Sequence, residues 1–526
     1  MKGVVYNLHK IVIRQTSIVI NDYNIGDCVP LEKAYSIYNE VYHTSVPKGI
    51  KYDAENRQLF IPKTTSTHWL QQLFNCLPYY ENSCDGYAKN SDILIQYLPR
   101  DDVQKEALRF ALGVQEYSSY SQASQQVLAL NTGAGKTYIA ISVLAYTLIK
   151  GIIITSSIEW LNQWKEKILE YTDIKPTEIC MIQGASVIRR LLTKDNSKYK
   201  IYLASHNTIK SYGDTYGWDK ITELFKCIKV GYKIYDEAHR SFENIYSIDY
   251  ATNTFKTFYL SATPGRSDDK ENQIYQRYIY GLPIIDLFDP ENDPRTQYIA
   301  FKYNSRFTPV EQSNCVNKFG FNKHNYTNQV IYKPNFIYML HVVMDMIRKT
   351  DGKVLMYIST NNAILYIYNW ILTNYPEYNG NVGIFTSIID DPIEKEEAKN
   401  KKIILSTTSS CAEAMDIPGL KMTVQLAEPM KSKIRSRQSL GRTRDRDTTY
   451  LDIIDIGVPS TKSYYMKRLP MFEKYATKCT EVNFKDDELF RTAERLTSQN
   501  QFSMLPRIDA RKTIIRPFIN IDEEKR

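Results

Sequence analysis

The stretch QQVLALNTGAGKT, residues 125–137, decides the fold, because it joins an apolar strand pattern to a helix pattern through a glycine-rich turn. Glycines in the turn let the backbone curl so that its N–H groups face a phosphate at the positive end of the helix. In this motif the Lys136 ammonium reaches the β- and γ-phosphates, and the Thr137 hydroxyl binds Mg²⁺. The G-x-x-x-x-G-K-S/T pattern requires glycine where this chain has Leu130, yet the strand–turn–helix context still predicts phosphate binding. The expected phosphate loop comprises Thr132, Gly133, Ala134, Gly135, Lys136 and Thr137.

The composition is that of an ordinary globular protein rather than a disordered one. Of the 526 residues, 43% are hydrophobic and 24% are charged, and this length predicts several domains. The net charge of +8 is compatible with a polyanionic partner. Eight cysteines are scattered without a C-x-x-C pair. Their pattern argues against a zinc module or a disulfide framework and indicates a reducing compartment.

Neither the start of the chain nor its most apolar stretch has the pattern of a targeting or membrane segment. The start, MKGVVYNLHKIVIRQ, lacks the apolar core of a signal peptide. The most apolar stretch, IAISVLAYTLIKGIIIT, is interrupted by Lys150 and Gly151, so it fits a helix, a turn and a buried strand better than a membrane span. We therefore expect a soluble intracellular protein, located in the host cytoplasm if a phage encodes it.

The order of strand and helix patterns predicts five segments. The N-terminal part has a strand pattern in KIVIRQTSIVI, a helix in LEKAYSIYNEVYH, a hairpin in GIKYDAENRQLFIPK and a short helix in HWLQQLF. From about residue 93, strands alternate with helices, which predicts parallel sheets with helices on both faces. The predicted segments are a small α+β domain with possible DNA-binding function (1–92), a first α/β domain (93–290), a connector (291–345), a second α/β domain (346–458) and a C-terminal extension (459–526).

Two further motifs follow strands of the first α/β domain. YKIYDEAH ends a strand with paired carboxylates, of which Asp236 fits a Mg²⁺ ligand and Glu237 a general base or a group that positions water. LSATPGR also ends a strand, and its Ser261 and Thr263 can hydrogen-bond to those carboxylates and couple the nucleotide to movement. Each motif alone also fits an ordinary surface turn.

Taken in order, these motifs resemble those of superfamily 2 helicases and translocases, over about residues 93–460. LPRDDVQKEAL resembles the adenine-reading motif of that family, which implies a contact from Gln104 and a weaker one from Arg100. IIITSSIEWLNQW and LASHNTIKSY resemble the two motifs that grip the nucleic-acid backbone, through Ser156 and Thr208.

YDEAH matches the DEAH version of the Mg²⁺ motif, and the resemblance implies that His239 bridges it to the coupling motif. In the second domain, VLMYIST and LSTTSSCAEAMDIP resemble later motifs of the family, with Thr408 as a nucleic-acid contact and Asp416 as a nucleotide-side residue. The family has glycine where this chain has Ala414.

QSLGRTRDRD, residues 438–447, falls where the last family motif belongs. Gln438 and Arg442 fit the pattern Q-x-x-G-R-x-x-R. Arg442 is expected to supply a charge to the ATP from across the cleft between the two domains, and Gln438 to contact a water or the γ-phosphate. The position of the second arginine holds Asp445, so that role falls to Arg444 or Arg446, or is missing. Two earlier arginines are expected on the basic face of the helix or against nucleic acid: Arg435 and Arg437.

The resemblance implies two tandem RecA-like domains that use ATP and Mg²⁺ and move along nucleic acid. The arrangement T-P-x-R…G-x-P in SATPGRSDDKENQIYQRYIYGLPI is similar to that of viral and phage branch-migration DNA helicases. We therefore expect a DNA helicase that remodels branched or duplex DNA in recombination, repair or replication, with possible replication or recombination proteins as partners and RNA as an alternative strand. The competing hypotheses are a translocase that releases transcripts and an ATP-binding scaffold without turnover.

Overall fold

The alternating strands and helices form two α/β units, and the boundary between these units lies between Phe288 and Asp289. The computed structural model describes residues 10–39, 44–81, 83–130, 134–156, 158–239, 242–261, 269–279, 281–287, 295–318, 320–411, 417–440 and 447–500. No helix among these residues is both long and apolar enough to cross a membrane.

The N-terminal part of the first unit is a small mixed sheet with two helices. Its elements are β1 (Ile11–Ile13), β2 (Ser17–Asn21), α1 (Ile25–Ala34), β3 (Ser36–Asn39), β4 (Thr44–Pro47), β5 (Lys51–Asp53), β6 (Gln58–Pro62), α2 (Thr67–Phe74) and β7 (Tyr79–Tyr80). The sheet order is β5-β6-β2-β1-β7, and β3 and β4 form a separate ribbon. The predicted hairpin and the predicted short helix are confirmed.

The helix expected in LEKAYSIYNEVYH is wrong over residues 35–39, because α1 ends at Ala34 and β3 follows, and residues 40–43 lie outside the described part of the chain. Tyr35 ends the helix: its backbone N–H still bonds to the carbonyl of Leu31, while its buried hydroxyl bonds to the Thr65 hydroxyl at 2.8 Å. Packing of this tyrosine against a residue distant in sequence thus overrides the local helical pattern.

The rest of the first unit is a seven-stranded parallel sheet flanked by helices. Its elements are α3 (Asp102–Leu112), β8 (Gln125–Ala129), α4 (Lys136–Thr147), β9 (Gly151–Thr155), α5 (Ile158–Tyr171), β10 (Ile179–Ile182), α6 (Ala185–Thr193), β11 (Ile201–Ser205), α7 (His206–Tyr216), α8 (Trp218–Ile228), β12 (Tyr232–Tyr235), α9 (Phe242–Ala251), β13 (Lys256–Ser261), α10 (Asp269–Ile279) and β14 (Ile284–Asp286). The order is β10-β11-β9-β12-β13-β8-β14, with every pairing parallel. The carboxyl ends of these strands therefore share one edge.

Alternate residues of each strand face opposite sides, so this sheet has a hydrophobic core on each face. Tyr235 and Tyr259 belong to one core, whereas Ile234 and Phe258 belong to the other. The first of these cores also contains buried residues of the N-terminal sheet, such as Ile11. The predicted boundary near residue 92 thus separates two sheets that share one core, and it stays a prediction.

The second unit is also a seven-stranded parallel sheet with flanking helices. Its elements are β15 (Thr296–Tyr303), α11 (Pro309–Asn314), β16 (Val316–Asn317), β17 (Gly320–Phe321), α12 (Lys323–Val330), α13 (Pro334–Lys349), β18 (Lys353–Ile358), α14 (Asn361–Asn374), β19 (Val382–Phe385), α15 (Pro392–Ala398), β20 (Ile403–Ser406), α16 (Thr408–Cys411), β21 (Leu420–Ala427), α17 (Lys433–Leu440), β22 (Thr448–Asp455), α18 (Pro459–Tyr475), β23 (Cys479–Asn483) and α19 (Asp486–Asn500). The main sheet has the order β19-β20-β18-β21-β22-β15-β23. The predicted fold class, two tandem RecA-like domains with a small N-terminal α+β part and a helical C-terminal region, is confirmed.

Two strands of the second sheet lie outside the predicted second α/β domain. β15 falls in the predicted connector and pairs with β22 along its whole length, from Thr296 with Thr448 to Tyr303 with Asp455. β23 falls in the predicted extension and pairs with the other edge of β15. Because the β15–β22 pairing joins residues about 150 positions apart, local patterns do not reveal it.

Candidate active site

The phosphate loop joins β8 to α4 at the carboxyl edge of the first sheet. Gly135 caps α4 with a φ of +88°, a conformation that side chains larger than glycine rarely adopt. Lys136 is the first residue of α4, and its Nζ donates to the Leu130 carbonyl at 2.9 Å, so the ammonium lies over the start of the loop. Thr137 is the second residue of the helix. Two predicted loop residues lie outside the described part of the chain: Thr132 and Gly133.

Gln104 lies directly against the phosphate loop. A Cβ on Gly135 would stand 2.1 Å from the Gln104 Nε2, so the amide occupies the space beside the loop. The Gln104 Nε2 is 3.4 Å from the Ala134 carbonyl, and its Oε1 accepts from the Arg100 backbone N–H at 2.8 Å. The Arg100 guanidinium is more than half exposed and pairs with Asp101. The structure thus brings the Gln104 side chain to the loop, and the Arg100 backbone N–H bonds to that side chain.

The paired carboxylates follow β12 at the same edge. Asp236 Oδ2 accepts from the Trp164 indole Nε1 at 2.9 Å, and its Oδ1 accepts from the Glu237 backbone N–H at 3.0 Å. Burial, and next the neighbouring Glu237 carboxylate, raise the pKa of Asp236, while the Trp164 hydrogen bond and the Lys136 charge oppose that rise. Glu237 has a φ of +49°, a strained conformation for a non-glycine residue that is typical of functional sites.

Trp164 is a site residue that sequence reasoning missed. It is buried on α5, and the pattern IEWLNQW indicates only an apolar face that packs on the sheet. The indole N–H requires a hydrogen-bond acceptor when it is buried, and this requirement is the one signal that could have linked it to a carboxylate. Here it fixes the orientation of Asp236.

His239 connects the carboxylate motif to the end of β13. Its Nδ1 is 2.8 Å from the Ser261 hydroxyl and 3.4 Å from the Glu237 Oε2. His239 and Ser261 are both buried, and the Leu130 backbone N–H donates to the Ser261 carbonyl at 3.0 Å. The phosphate-loop strand, the carboxylates and the coupling strand therefore form one hydrogen-bonded cluster. Thr263 lies outside the described residues.

Ser156 and Thr208 line a single open groove of about 620 Å³. Ser156 follows β9, and Thr208 lies in the first turn of α7, whose capping residue Ser205 accepts from the Thr208 backbone N–H at 3.1 Å. The Ser156 hydroxyl is buried and has no hydrogen-bond partner among the described residues. The groove is rich in hydroxyl groups, which suit contacts to a phosphate backbone. It is lined by Ser156, Gly184, Ala185, Ser205, Asn207, Thr208, Ser211, Tyr212, Thr215 and Tyr216.

In the second unit, the described predicted residues lie on two helices. Thr408 begins α16 and is buried, and the preceding Thr407 caps this helix by accepting from the Ser410 backbone N–H at 3.0 Å. Arg435 on α17 is exposed. The Arg437 guanidinium instead stacks 4.1 Å from the centre of the Tyr475 ring, so it contributes to packing between α17 and α18.

Gln438 is also part of α17. The remaining predicted residues of this unit lie outside the described part of the chain: Asp416, Arg442, Arg444 and Arg446.

The donor set of the first unit fits a nucleotide with Mg²⁺. The described residues include no cluster of three or more His, Cys, Asp or Glu side chains that could hold a metal by themselves. Mg²⁺ is usually bound by one or two carboxylates together with phosphate oxygens, a role that Asp236 and Thr137 can fill. The N-terminus of the twelve-residue α4 and the Lys136 ammonium supply positive charge for the phosphates.

Comparison with known proteins agrees with this geometry. Residues 98–266 match the family model of the Type III restriction enzyme res subunit. A curated relative, the "DNA 3'-5' translocase XPB2" of Sulfurisphaera tokodaii, is 28% identical over 217 residues, which cover 39% of this chain and 44% of the relative. This chain spans only 22% to 44% of the length of the curated relatives that it matches.

Solved structures similar to this chain include "The crystal structure of T4 UvsW", with 16% identity, 90% of this chain and 100% of that chain covered, and a TM-score of 0.35. Another is "S. cerevisiae Dbp5 bound to RNA and ADP BeF3", with 14% identity, 75% and 93% covered, and a TM-score of 0.47. The family match and the curated relatives agree with the resemblance that the motif series predicts: part of this chain is similar to the res subunit of Type III restriction enzymes and to DNA helicases and translocases.

Proposed function

We propose that this chain is an ATP-dependent DNA helicase or translocase that remodels branched or duplex DNA in recombination, repair or replication. One observation carries the proposal: a single sheet edge holds a phosphate-loop lysine, a carboxylate pair and a serine–histidine bridge. Lys136, Glu237 and His239 supply positive charge, a base and a coupling contact within this cluster. When ATP and Mg²⁺ are bound, they supply a γ-phosphoryl group that water can attack.

Each side chain of the cluster has a separate task in this proposal. Lys136 neutralises the phosphates, while Asp236, held by Trp164, presents a carboxylate oxygen to the metal. Glu237 orients and deprotonates the attacking water. His239 contacts the Ser261 hydroxyl and so links the carboxylates to the coupling motif that follows.

The second unit of the same chain also contributes to this reaction in the proposal. Arg442, assisted by Gln438 and by Arg444 or Arg446, stabilises the charge of the transition state from the opposite side of the nucleotide. Asp416 contacts the nucleotide in this proposal. Because residues of the second unit are required, hydrolysis depends on closure of the two domains. Closing and opening then alternate the contacts with nucleic acid.

DNA is the proposed track because matched relatives carry the printed names of DNA helicases or translocases. In this proposal Ser156 and Thr208 in the first unit and Thr408 in the second contact the phosphate backbone. Such contacts are independent of sequence and weaken with salt.

The test is ATP hydrolysis with and without DNA, for the wild type and for Lys136→Ala. We expect DNA to stimulate the wild type, and we expect the substitution to reduce turnover by roughly 10²-fold or more, because it removes a charge that stabilises the transition state. Lys105→Ala is the matched control, since Lys105 is exposed on α3 and forms only a surface ion pair with Asp102.

Two results would contradict the proposal. Unwinding by the folded Lys136→Ala protein would refute the phosphate site. A folded wild type without stimulated turnover would leave only the scaffold hypothesis. Release of RNA from a stalled transcription complex, without unwinding of a fork or a four-way junction, would instead favour the transcript-release hypothesis.

A further inference from the structure

Three aromatic rings are stacked in the core beneath the carboxylates. The His206 and Tyr235 rings are 5.6 Å apart between centroids, with 11° between their planes. The Tyr235 and Tyr259 rings are also 5.6 Å apart, at 13°. All three side chains are buried. We call this set of three residues the ring stack.

Each ring of the stack belongs to a segment that carries a predicted functional residue. His206 directly follows Ser205, which caps α7 and lines the groove. Tyr235 directly precedes Asp236, and Tyr259 pairs with Tyr235 across β12 and β13, two residues before Ser261. The ring stack therefore packs the first residue of α7, the helix that lines the groove, against β12, the strand that directly precedes the proposed catalytic carboxylates.

The tyrosine end of the ring stack is held by a buried carboxylate. Asp249 accepts from the Tyr235 hydroxyl at 2.8 Å and from the Tyr259 hydroxyl at 2.6 Å. It also accepts from the Tyr278 hydroxyl at 2.5 Å and pairs with the Lys233 ammonium at 2.6 Å, with both members of this ion pair fully buried. A carboxylate with this many donors fixes the two phenols, so displacement of the stack must come from its His206 end.

The His206 end is held by packing alone. Both ring nitrogens are buried and have no hydrogen-bond partner among the described residues, and the residue is only 1% exposed. Burial lowers the pKa of His206 to about 3, so the ring is neutral at physiological pH. Buried unpaired nitrogens are unfavourable compared with an apolar side chain. What the ring supplies at this position is its flat surface against Tyr235.

We propose that the ring stack is the element that couples occupancy of the groove by nucleic acid to the placement of Asp236 and Glu237, with His206 as its positioning residue. This inference rests on the proposed function. A shift of the first turn of α7 on nucleic-acid binding would move the His206 ring against Tyr235, whose neighbour in the chain is Asp236.

The experiment compares His206→Phe, which keeps a flat ring, with His206→Leu and His206→Met, which do not. The readouts are the fold stimulation of ATP hydrolysis by a single-stranded oligodeoxynucleotide, and the Kd of that oligonucleotide with and without a non-hydrolysable ATP analogue. We expect Leu and Met to lower both the stimulation and the nucleotide effect on Kd by at least about fivefold, since binding coupling is reciprocal. We expect Phe to stay within about twofold of the wild type in both readouts.

His341→Leu is the matched control. His341 is a second buried histidine, packed edge-on against Trp370 in the other unit, and burial lowers its pKa to about 4. This control reports the general effect of removing a buried imidazole, and we expect it to keep the wild-type stimulation. Melting curves identify any variant that fails to fold, and the Met variant replaces the Leu variant in that case.

The outcomes separate the inference from the proposed function. Stimulation within twofold of the wild type in a folded Leu or Met variant would overturn the inference while leaving the helicase proposal intact. An equal loss in the Phe variant would also overturn it, because the flat ring would then not be the cause. Absence of stimulation in the wild type would instead overturn the proposed function itself.

Discussion

Buried His206 should make the first unit sensitive to acid, by an amount that follows from its environment. Burial lowers the pKa of this imidazole from 6.5 to about 3 in the folded chain. Between these values the unfolded chain binds a proton that the folded chain does not, so stability falls as pH falls. Lowering the pH from about 7.5 to about 5 should therefore cost about 2 kcal/mol at this one group.

The assay is urea unfolding of the wild type and of His206→Phe at both pH values, with hydrogen exchange resolving the two units. We expect the first unit of the Phe variant to lose about 2 kcal/mol less than that of the wild type between the two pH values. Any constant packing cost of the larger ring cancels in this difference. Equal acid losses in the two proteins would refute the reasoning, because they would show that His206 is protonated in the folded chain. His341→Phe is the matched control, and its effect should be confined to the second unit.

Three further predictions concern the first unit. Asp236→Asn should stabilise the fold by up to about 3 kcal/mol at neutral pH, because burial raises the pKa of this carboxyl from 3.8 to about 6. The gain, measured by urea unfolding, should shrink as pH falls, and hydrolysis should be lost. Gly135→Ala should weaken ATP binding in equilibrium titration, because the new Cβ would meet the Gln104 amide and because the φ of +88° disfavours any side chain; unchanged binding would contradict this loop geometry. Asp249→Asn should cost about 3–5 kcal/mol in denaturant unfolding, because it leaves the buried Lys233 ammonium unpaired, whereas a loss below about 1 kcal/mol would contradict the buried ion pair.

Local patterns predict most elements of the two large sheets. The helix predicted after the glycine-rich turn is α4, which begins at Lys136, and the strands predicted before Asp236 and at Ser261 are β12 and β13. The misses are elements set by distant partners. β15 and β23 are read from the sequence as connector and tail because their strand character comes from pairing with each other and with β22. α1 ends early because Tyr35 bonds to a residue of another loop.

The same distinction between local patterns and distant contacts applies to the candidate active site. Asp236 follows β12, Ser261 ends β13, and Lys136 begins the helix after β8, so these three residues lie at one sheet edge. Trp164 and Asp249 were not predicted, because each lies within a helix and acts through a contact with another element. For a tryptophan or an aspartate on a packed helix face, the neighbouring sequence does not reveal which residue it contacts.

The central claim, that one sheet edge hydrolyses ATP in response to nucleic acid, is tested most directly by one ATPase measurement. Turnover is compared without nucleic acid and with single-stranded DNA, duplex, fork, four-way junction and RNA, at fixed salt. We expect DNA to stimulate turnover, with the largest effect for forked or branched DNA. The same slow turnover of the folded protein under all of these conditions would contradict the account.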